Sequence, residues 1–225
     1  MAGQGTRVAE KYLPPKPLIK VHGRPLFVWA LAGLPIDLAN EIHIITSQTV
    51  AESADLESET RKLLPPTLTI HIKVLDAPTS GQAATVMAGL DLIKPENGIL
   101  IFNCDTIISN DFPLNFAEKD GILGTFKSED PGLSYVRSEL GIVSKTAEKE
   151  RISDSASSGL YYFGSKILFE EAFSKTPHHR ETFIAPLYNF MVAEGLQVTS
   201  FEHRAVLPLG TSAEISWFES LPINS

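Results

Sequence analysis

Three short apolar runs, separated by stretches of helical character, constrain this chain more than any other feature. Glu41–Thr46 (EIHIIT), Leu68–Leu75 and Ile99–Phe102 are bounded by polar or turn-forming residues and read as strands, the first rich in β-branched residues. Val50–Leu64 carries Glu and Arg/Lys on a helical period and stops at Pro65-Pro66. Ala83–Ile93 reads as a helix opened by the loop Thr79-Ser80-Gly81-Gln82. Alternation of this kind marks βαβ units and predicts an α/β chain with an open parallel sheet and crossover helices. In such sheets ligands sit beyond the carboxyl ends of the strands, where the 79–82 loop and Asp105 both fall.

The remainder is richer in strands. Gly121–Lys127, Ser134–Val136, Leu140–Lys145, Gly159–Gly164 and Gln197–Phe201 extend the sheet. Pro25–Leu34, Ile167–Phe173, Thr182–Glu194 and Ser212–Leu221 read as helices, the last capped by Ser212. The polar segment Glu148–Ser158 reads as a loop over the site.

The 225 residues favour a single domain. No apolar run is long enough to cross a membrane. The start of the chain, with Arg7, Glu10 and Lys11, lacks the apolar core of a signal peptide. Cys104, the only cysteine, excludes an internal disulfide and fits a reducing cytoplasm. A formal net charge of -8 argues against a general nucleic-acid binder. Yet Arg7, Lys11, Lys16, Lys20 and Arg24 face only Glu10 within the first 24 residues. That local excess suits a small anionic ligand, or simply a solvated basic segment.

The opening stretch has the chemistry for a polyphosphate. Gly3 and Gly5 let the backbone approach an anion with its N–H groups, and Arg7 and Lys16 supply positive charge. Lys16 stands between Pro15 and Pro17, which restrict its backbone. The P-loop pattern is absent, and a dinucleotide fingerprint would need glycine where Val8 stands. A glycine-rich phosphate loop ordinarily follows a buried strand, and no residues precede this one to form it. An upstream start codon and a lost strand are both open readings.

Gly3-x-Gly5-Thr6-Arg7, Pro15-Lys16-Pro17-Leu18-Ile19, Gly81-Gln82, Asn103-Cys104-Asp105, Glu148-Lys149, Gly159-Leu160-Tyr161-Tyr162-Phe163 and Gly210-Thr211 occur in that order. Together they resemble the sugar-1-phosphate nucleotidyltransferases (NDP-sugar pyrophosphorylases), in particular the short capsule and lipopolysaccharide-type members, over nearly the whole chain. The resemblance implies a three-layer, mostly parallel mixed sheet of glycosyltransferase-A-like, Rossmann-like type. It implies one nucleotidyltransferase domain, residues 1–115 forming the nucleotide-binding half and 116–225 the sugar-binding half. The implied reaction joins a nucleoside triphosphate to a sugar 1-phosphate, giving NDP-sugar and pyrophosphate with Mg²⁺. The implied setting is cytoplasmic synthesis of an activated sugar for surface polysaccharide, with no nucleic-acid or membrane partner and a homo-oligomer left open.

Residue by residue, the resemblance makes Arg7 and Lys16 catalytic: Arg7 on the β/γ-phosphates, Lys16 between the α-phosphate and the attacking phosphate. Ala2, Gly3, Gly5, Thr6, Gly81, Gln82 and Asn103 bind nucleotide. Tyr135, Glu148, Lys149 and Gly159 face the sugar, and Asp105 holds Mg²⁺. Leu207-Pro208-Leu209 stand where larger members carry a second metal-binding Asp, so one carboxylate is implied. Plain structural alternatives stand beside these roles. Arg7 and Lys16 suit exposed loops, Asp105 a turn or cap, Gln82 a helix start, Glu148-Lys149 a charged loop and Tyr135 a core. Cys104 reads as packing, not a nucleophile, and His178-His179 as a solvated turn. Two rival functions are a cytidylyltransferase for a non-sugar phosphate such as phosphocholine, and a catalytically inactive nucleotide-binding or interaction protein, motivated by the missing first strand.

Overall fold

Twelve strands and seven α-helices fall within residues 14–113, 116–178 and 181–222, the parts of the chain that the computed structural model describes. The first half holds β1 (Lys20–Val21), β2 (Arg24–Pro25), α1 (Leu26–Ala32), β3 (Glu41–Ser47), α2 (Gln48–Ser53), α3 (Leu56–Arg61), β4 (Thr69–Leu75), α4 (Gln82–Gly89), β5 (Ile99–Phe102) and β6 (Thr106–Ile108). Next come β7 (Gly121–Lys127), β8 (Ser134–Glu139), β9 (Ile142–Glu148) and β10 (Ser155–Phe163). The chain ends in α5 (Lys166–Lys175), α6 (Leu187–Ala193), β11 (Val198–Glu202), β12 (Val206–Pro208) and α7 (Ser212–Ser220).

These elements form two compact units that interleave in sequence. The first draws on Met1–Thr79, Asn103–Asn110 and Val206–Ser225, the second on Ser80–Phe102 and Asp111–Ala205. In the first unit β3 and β4 form a parallel pair in register, Glu41 opposite Thr69 through Ser47 opposite Leu75. Leu18, Phe27, Val28, Ile44, Val50 and Leu56 are buried together beside it. A second cluster unites Ile19, Val21 and Leu26 with Leu209, Ile215 and Phe218 of the chain's last stretch. The antiparallel β6–β12 pair fixes that return, with Thr106 opposite Pro208.

The second unit is built on a six-stranded sheet, ordered β5-β10-β7-β11-β9-β8. Here the expected mostly parallel sheet is corrected. Among the described residues only β11 with β7 and β3 with β4 pair in parallel, and the remaining pairings are antiparallel. The reason is β10, which enters between β5 and β7 and runs against both. Apolar runs report burial but not strand direction, so the alternating pattern could not reveal this insertion. The fold is a mixed α/β one with small mixed sheets.

Helix limits also differ from the sequence reading, each for a local reason. The single helix expected over Val50–Leu64 is two, because the Asp55 carboxylate accepts from Ser58 N (3.0 Å) and starts a new helix. The helix expected over Thr182–Glu194 begins only after Pro186. Thr182 is engaged elsewhere. The closing helix is capped by Thr211, not Ser212, through a capping box with Glu214. The expected 148–158 loop is shorter, since Glu148 ends β9 and β10 already begins at Ser155.

Candidate active site

In the first unit the proline-flanked lysine sits in a 3-10 turn, Lys16–Leu18. Leu18 N donates to Pro15 O (2.8 Å), and buried Pro17 and Leu18 anchor the turn. Lys16 Nζ donates to the Asp105 carboxylate, and to the Gly210 carbonyl at 3.0 Å. These partners are 89 and 194 residues away in sequence. The β6–β12 register brings them side by side: Leu209 N donates to Asp105 O at 2.8 Å, just beyond the last ladder pair. The late Gly-Thr motif thereby acquires two physical tasks. The Gly210 carbonyl receives the lysine, and the Thr211 hydroxyl accepts from Glu214 N at 3.3 Å to start α7. Gly210 was not among the expected site residues; its adjacency to a Thr-x-x-Glu cap was the available signal.

The Lys16 and Asp105 side chains are 13% and 26% exposed, so the pair is largely sheltered yet reachable. Removing either partner leaves a charge without its counter-ion in a poorly solvated place. Asn103 and Cys104 lie in the same connection between β5 and β6. Cys104 packs on the cluster around Phe27 and Ile44, and burial pushes its thiol up. That favours the neutral, unreactive thiol over the thiolate.

Asp105 is the candidate Mg²⁺ ligand. The carboxylate is a hard oxygen ligand on a partly exposed turn. Among the described residues it belongs to no cluster of three or more acidic, histidine or cysteine side chains. One carboxylate, with the rest of the shell left to water and phosphate oxygens, suits Mg²⁺ and not an all-protein cage. Arg7, Ala2, Gly3, Gly5 and Thr6 lie outside the described residues. A cavity of about 560 Å³ in this unit is lined by Pro14, Leu18, Lys20, Pro25, Ser53, Ala54, Asp55 and Glu59, none of them an expected site residue.

In the second unit Gly81 is the residue before α4, with φ at +151°. A Cβ there would lie 2.6 Å from the Thr182 backbone nitrogen. Thr182 is bound tightly to this loop: its N–H donates to Ser80 O (2.9 Å), its carbonyl accepts from Ala83 N (3.1 Å), and its hydroxyl accepts from Ala84 N (3.2 Å). The glycine is therefore required by a close backbone approach. Gln82 is the first residue of α4.

Glu148 and Lys149 sit at the end of β9. Ser134 Oγ donates to the Glu148 carboxylate, and burial holds that carboxyl above its ordinary range. Lys149 has φ at +54°, a left-handed backbone rare for a side-chain-bearing residue. Its Nζ lies 3.4 Å from Glu181 Oε2 and 4.6 Å from the Phe183 ring centre. Tyr161 is buried near Glu148, and desolvation raises its phenol to about 12 despite hydrogen bonds with Ser157 and Ser134. Ser134, Ser157 and Glu181 were not expected; a serine has no sequence signature that marks it as a carboxylate's partner.

Gly159, with φ at +84°, lies inside the β10 bulge where the register against β7 shifts between Ser157 and Tyr161. Its N–H donates to Ser157 Oγ at 3.1 Å. Tyr135 has no exposed surface. Its hydroxyl donates to Asp130 O (2.9 Å) and Ser128 O (3.3 Å), which ties a loop to the sheet.

The comparisons agree with this architecture. The family model described as "Nucleotidyl transferase" matches residues 1–217, and the chain belongs to that family. A solved nucleoside-diphosphate-sugar pyrophosphorylase from Vibrio cholerae RC9 is similar, with 28% identity, 98% of each chain covered and a TM-score of 0.86. A putative glucose-1-phosphate thymidylyltransferase from Bacillus anthracis has 17% identity over 99% of this chain and 94% of its own, with a TM-score of 0.79. The inositol-1-phosphate CTP transferase from T. maritima has 15% identity over 97% and 94%, with a TM-score of 0.73. These last two share the fold. No curated protein matches the chain in sequence.

Proposed function

We propose that this chain transfers a nucleotidyl group from a nucleoside triphosphate to a sugar 1-phosphate, releasing pyrophosphate. The observation that carries the reading is the convergence of Lys16, Asp105 and the Gly210 carbonyl from three distant parts of a nucleotidyl transferase family chain. In the reaction a phosphate oxygen of the sugar 1-phosphate bonds to the α-phosphorus. The bond from that phosphorus to the bridging oxygen breaks, and its electron pair leaves with pyrophosphate. A phosphate acceptor is already largely deprotonated at neutral pH, so positioning and charge stabilisation carry the step.

Lys16 is a point charge on a flexible stem, able to exchange its Asp105 partner for a phosphate oxygen. Asp105 would hold Mg²⁺, which supplies charge neutralisation of the triphosphate when bound. Arg7 would take the β/γ-phosphates and the backbone from Ala2 through Gly3, Gly5 and Thr6 would line them. Gly81, Gln82 and Asn103 are assigned to the nucleoside. Glu148 and Lys149 are assigned to sugar hydroxyls and sugar phosphate, beside Gly159, with Tyr135 acting at one remove through the 128–130 loop. On this reading residues 1–115 handle nucleotide and 116–225 handle sugar within a three-layer, glycosyltransferase-A-like frame. The proposed setting is the cytoplasm.

The 28%-identical relative, named as an NDP-sugar pyrophosphorylase, supports a sugar phosphate over phosphocholine. The test is pyrophosphate release from each common nucleoside triphosphate against a panel of sugar 1-phosphates, inositol 1-phosphate and phosphocholine. Release with a sugar 1-phosphate is expected. Release only with phosphocholine or inositol phosphate, or triphosphate binding without release, overturns it.

A further inference from the structure

We propose that Glu41, His43 and His71 form a binding site for a divalent transition metal of the zinc class on one face of the β3–β4 pair. Register creates the cluster. His43 lies directly opposite His71 across the parallel pair, and Glu41, two residues before His43, shares its face. The two imidazole rings stack with centres 4.7 Å apart and planes 20° from parallel. Glu41 reaches both: Oε1 lies 3.3 Å from His43 Nε2 and Oε2 lies 3.2 Å from His71 Nε2. All three residues offer a ligand atom, and these atoms lie within 4.8 Å of one another.

The two carboxylate–imidazole separations suit an ion. The stacked rings aim their nitrogen lone pairs nearly in parallel, so one imidazole must turn about its Cβ–Cγ bond for both to reach one metal. Tetrahedral zinc, with bonds of about 2.0–2.1 Å, needs donors about 3.3–3.4 Å apart, close to both carboxylate–imidazole separations. His43 Nε2 is shielded from water and makes no hydrogen bond of good geometry. A buried ring nitrogen left in that condition is costly, and a metal bond relieves it. Two nitrogens and a carboxylate favour zinc, nickel or copper over Mg²⁺ or Ca²⁺, which prefer oxygen. A fourth position would fall to water. Lys73 lies two residues beyond His71 on the same face, so its charge works against the ion. The cluster is separate from Asp105 and plays no part in the proposed transfer reaction. Its ligands come from two strands, so binding would couple to folding and tie β3 to β4.

The test uses tag-free, full-length protein stripped of metal by chelator, titrated with ZnCl2 by calorimetry without nucleotide and followed by thermal unfolding. Saturable binding of one Zn²⁺ per chain is expected, with a rise in Tm. Affinity should fall about tenfold or more in His71→Ala and in His43→Ala. It should be unchanged in His178→Ala, whose ring nitrogen lies 2.7 Å from the Phe173 carbonyl oxygen. Should His43→Ala not fold, the more exposed His71→Ala and the visible absorption of Co²⁺ bound to the wild type decide the question. Absence of saturable zinc binding, or undiminished binding in His71→Ala, overturns the proposal.

Discussion

Lys16 is where one side chain carries most of the functional argument. Its ammonium is held by Asp105 and the Gly210 carbonyl, so shortening it removes a charge from a formed pocket of partners, not from open solvent. Lys16→Ala should lower kcat by about 10²–10³-fold, the scale for losing one transition-state stabiliser, with circular dichroism unchanged. Arginine, planar and wider, should not restore the rate. Wild-type turnover in Lys16→Ala would refute the role. Glu148 gives a second test. Its carboxyl is raised above the ordinary 4.5 by burial, so its ionised form costs native stability. Any stabilising contribution is present below the unfolded value and is lost as pH rises through the raised one. Glu148→Gln should therefore gain Tm relative to wild type as pH rises through that window, and equal pH profiles would contradict the burial argument. Lys16, Asp105 and Glu148 were legible in the sequence from residue type and motif order. Of their partners, Gly210 was visible only as half of the late Gly-Thr motif, without the role of its carbonyl, and Ser134 was not visible, because a small hydroxyl leaves no pattern.

Two element boundaries hold the candidate residues in place. Gly81 meets the Thr182 backbone so closely that a methyl group has no room, and its φ is one that L residues rarely adopt. Gly81→Ala should cost about 1–3 kcal/mol in chemical denaturation, by displacing Thr182 from the start of α4. At the other boundary the Thr211–Glu214 capping box starts α7 directly after the carbonyl that receives Lys16. Thr211→Ala should cost about 1 kcal/mol and raise the KM for triphosphate by shifting Gly210. A loss of stability with KM unchanged would confine Thr211 to a structural role. Strands β3, β4 and β5 were readable from their apolar runs, and the strong stops at proline were readable too. The break at Asp55 and the late start of α6 were not, since capping by Asp and a bond network around Thr182 are choices made against an otherwise helical pattern.

Across the whole chain, local pattern identified strands but not how they pair. The sheet order places β10 between β5 and β7, and β10 is buried along nearly its full length. Its sequence, SASSGLYYF, opens on small polar residues and turns apolar only at Leu160, a pattern that reports neither its full burial nor the direction of its neighbours. The interleaving of the two units is likewise a consequence of the β6–β12 pairing, made by residues about one hundred positions apart in sequence, a separation no local signal spans. Among the described residues no helix is long and apolar enough to cross a membrane. The family assignment extends over residues 1–217, and chemistry at the paired lysine and carboxylate is the claim that matters most. It is tested most directly by measuring pyrophosphate release across nucleoside triphosphates and phosphorylated acceptors with Mg²⁺ present. The account predicts release that requires a sugar 1-phosphate and falls about 10²–10³-fold in Lys16→Ala. Triphosphate binding without release under every acceptor would contradict it.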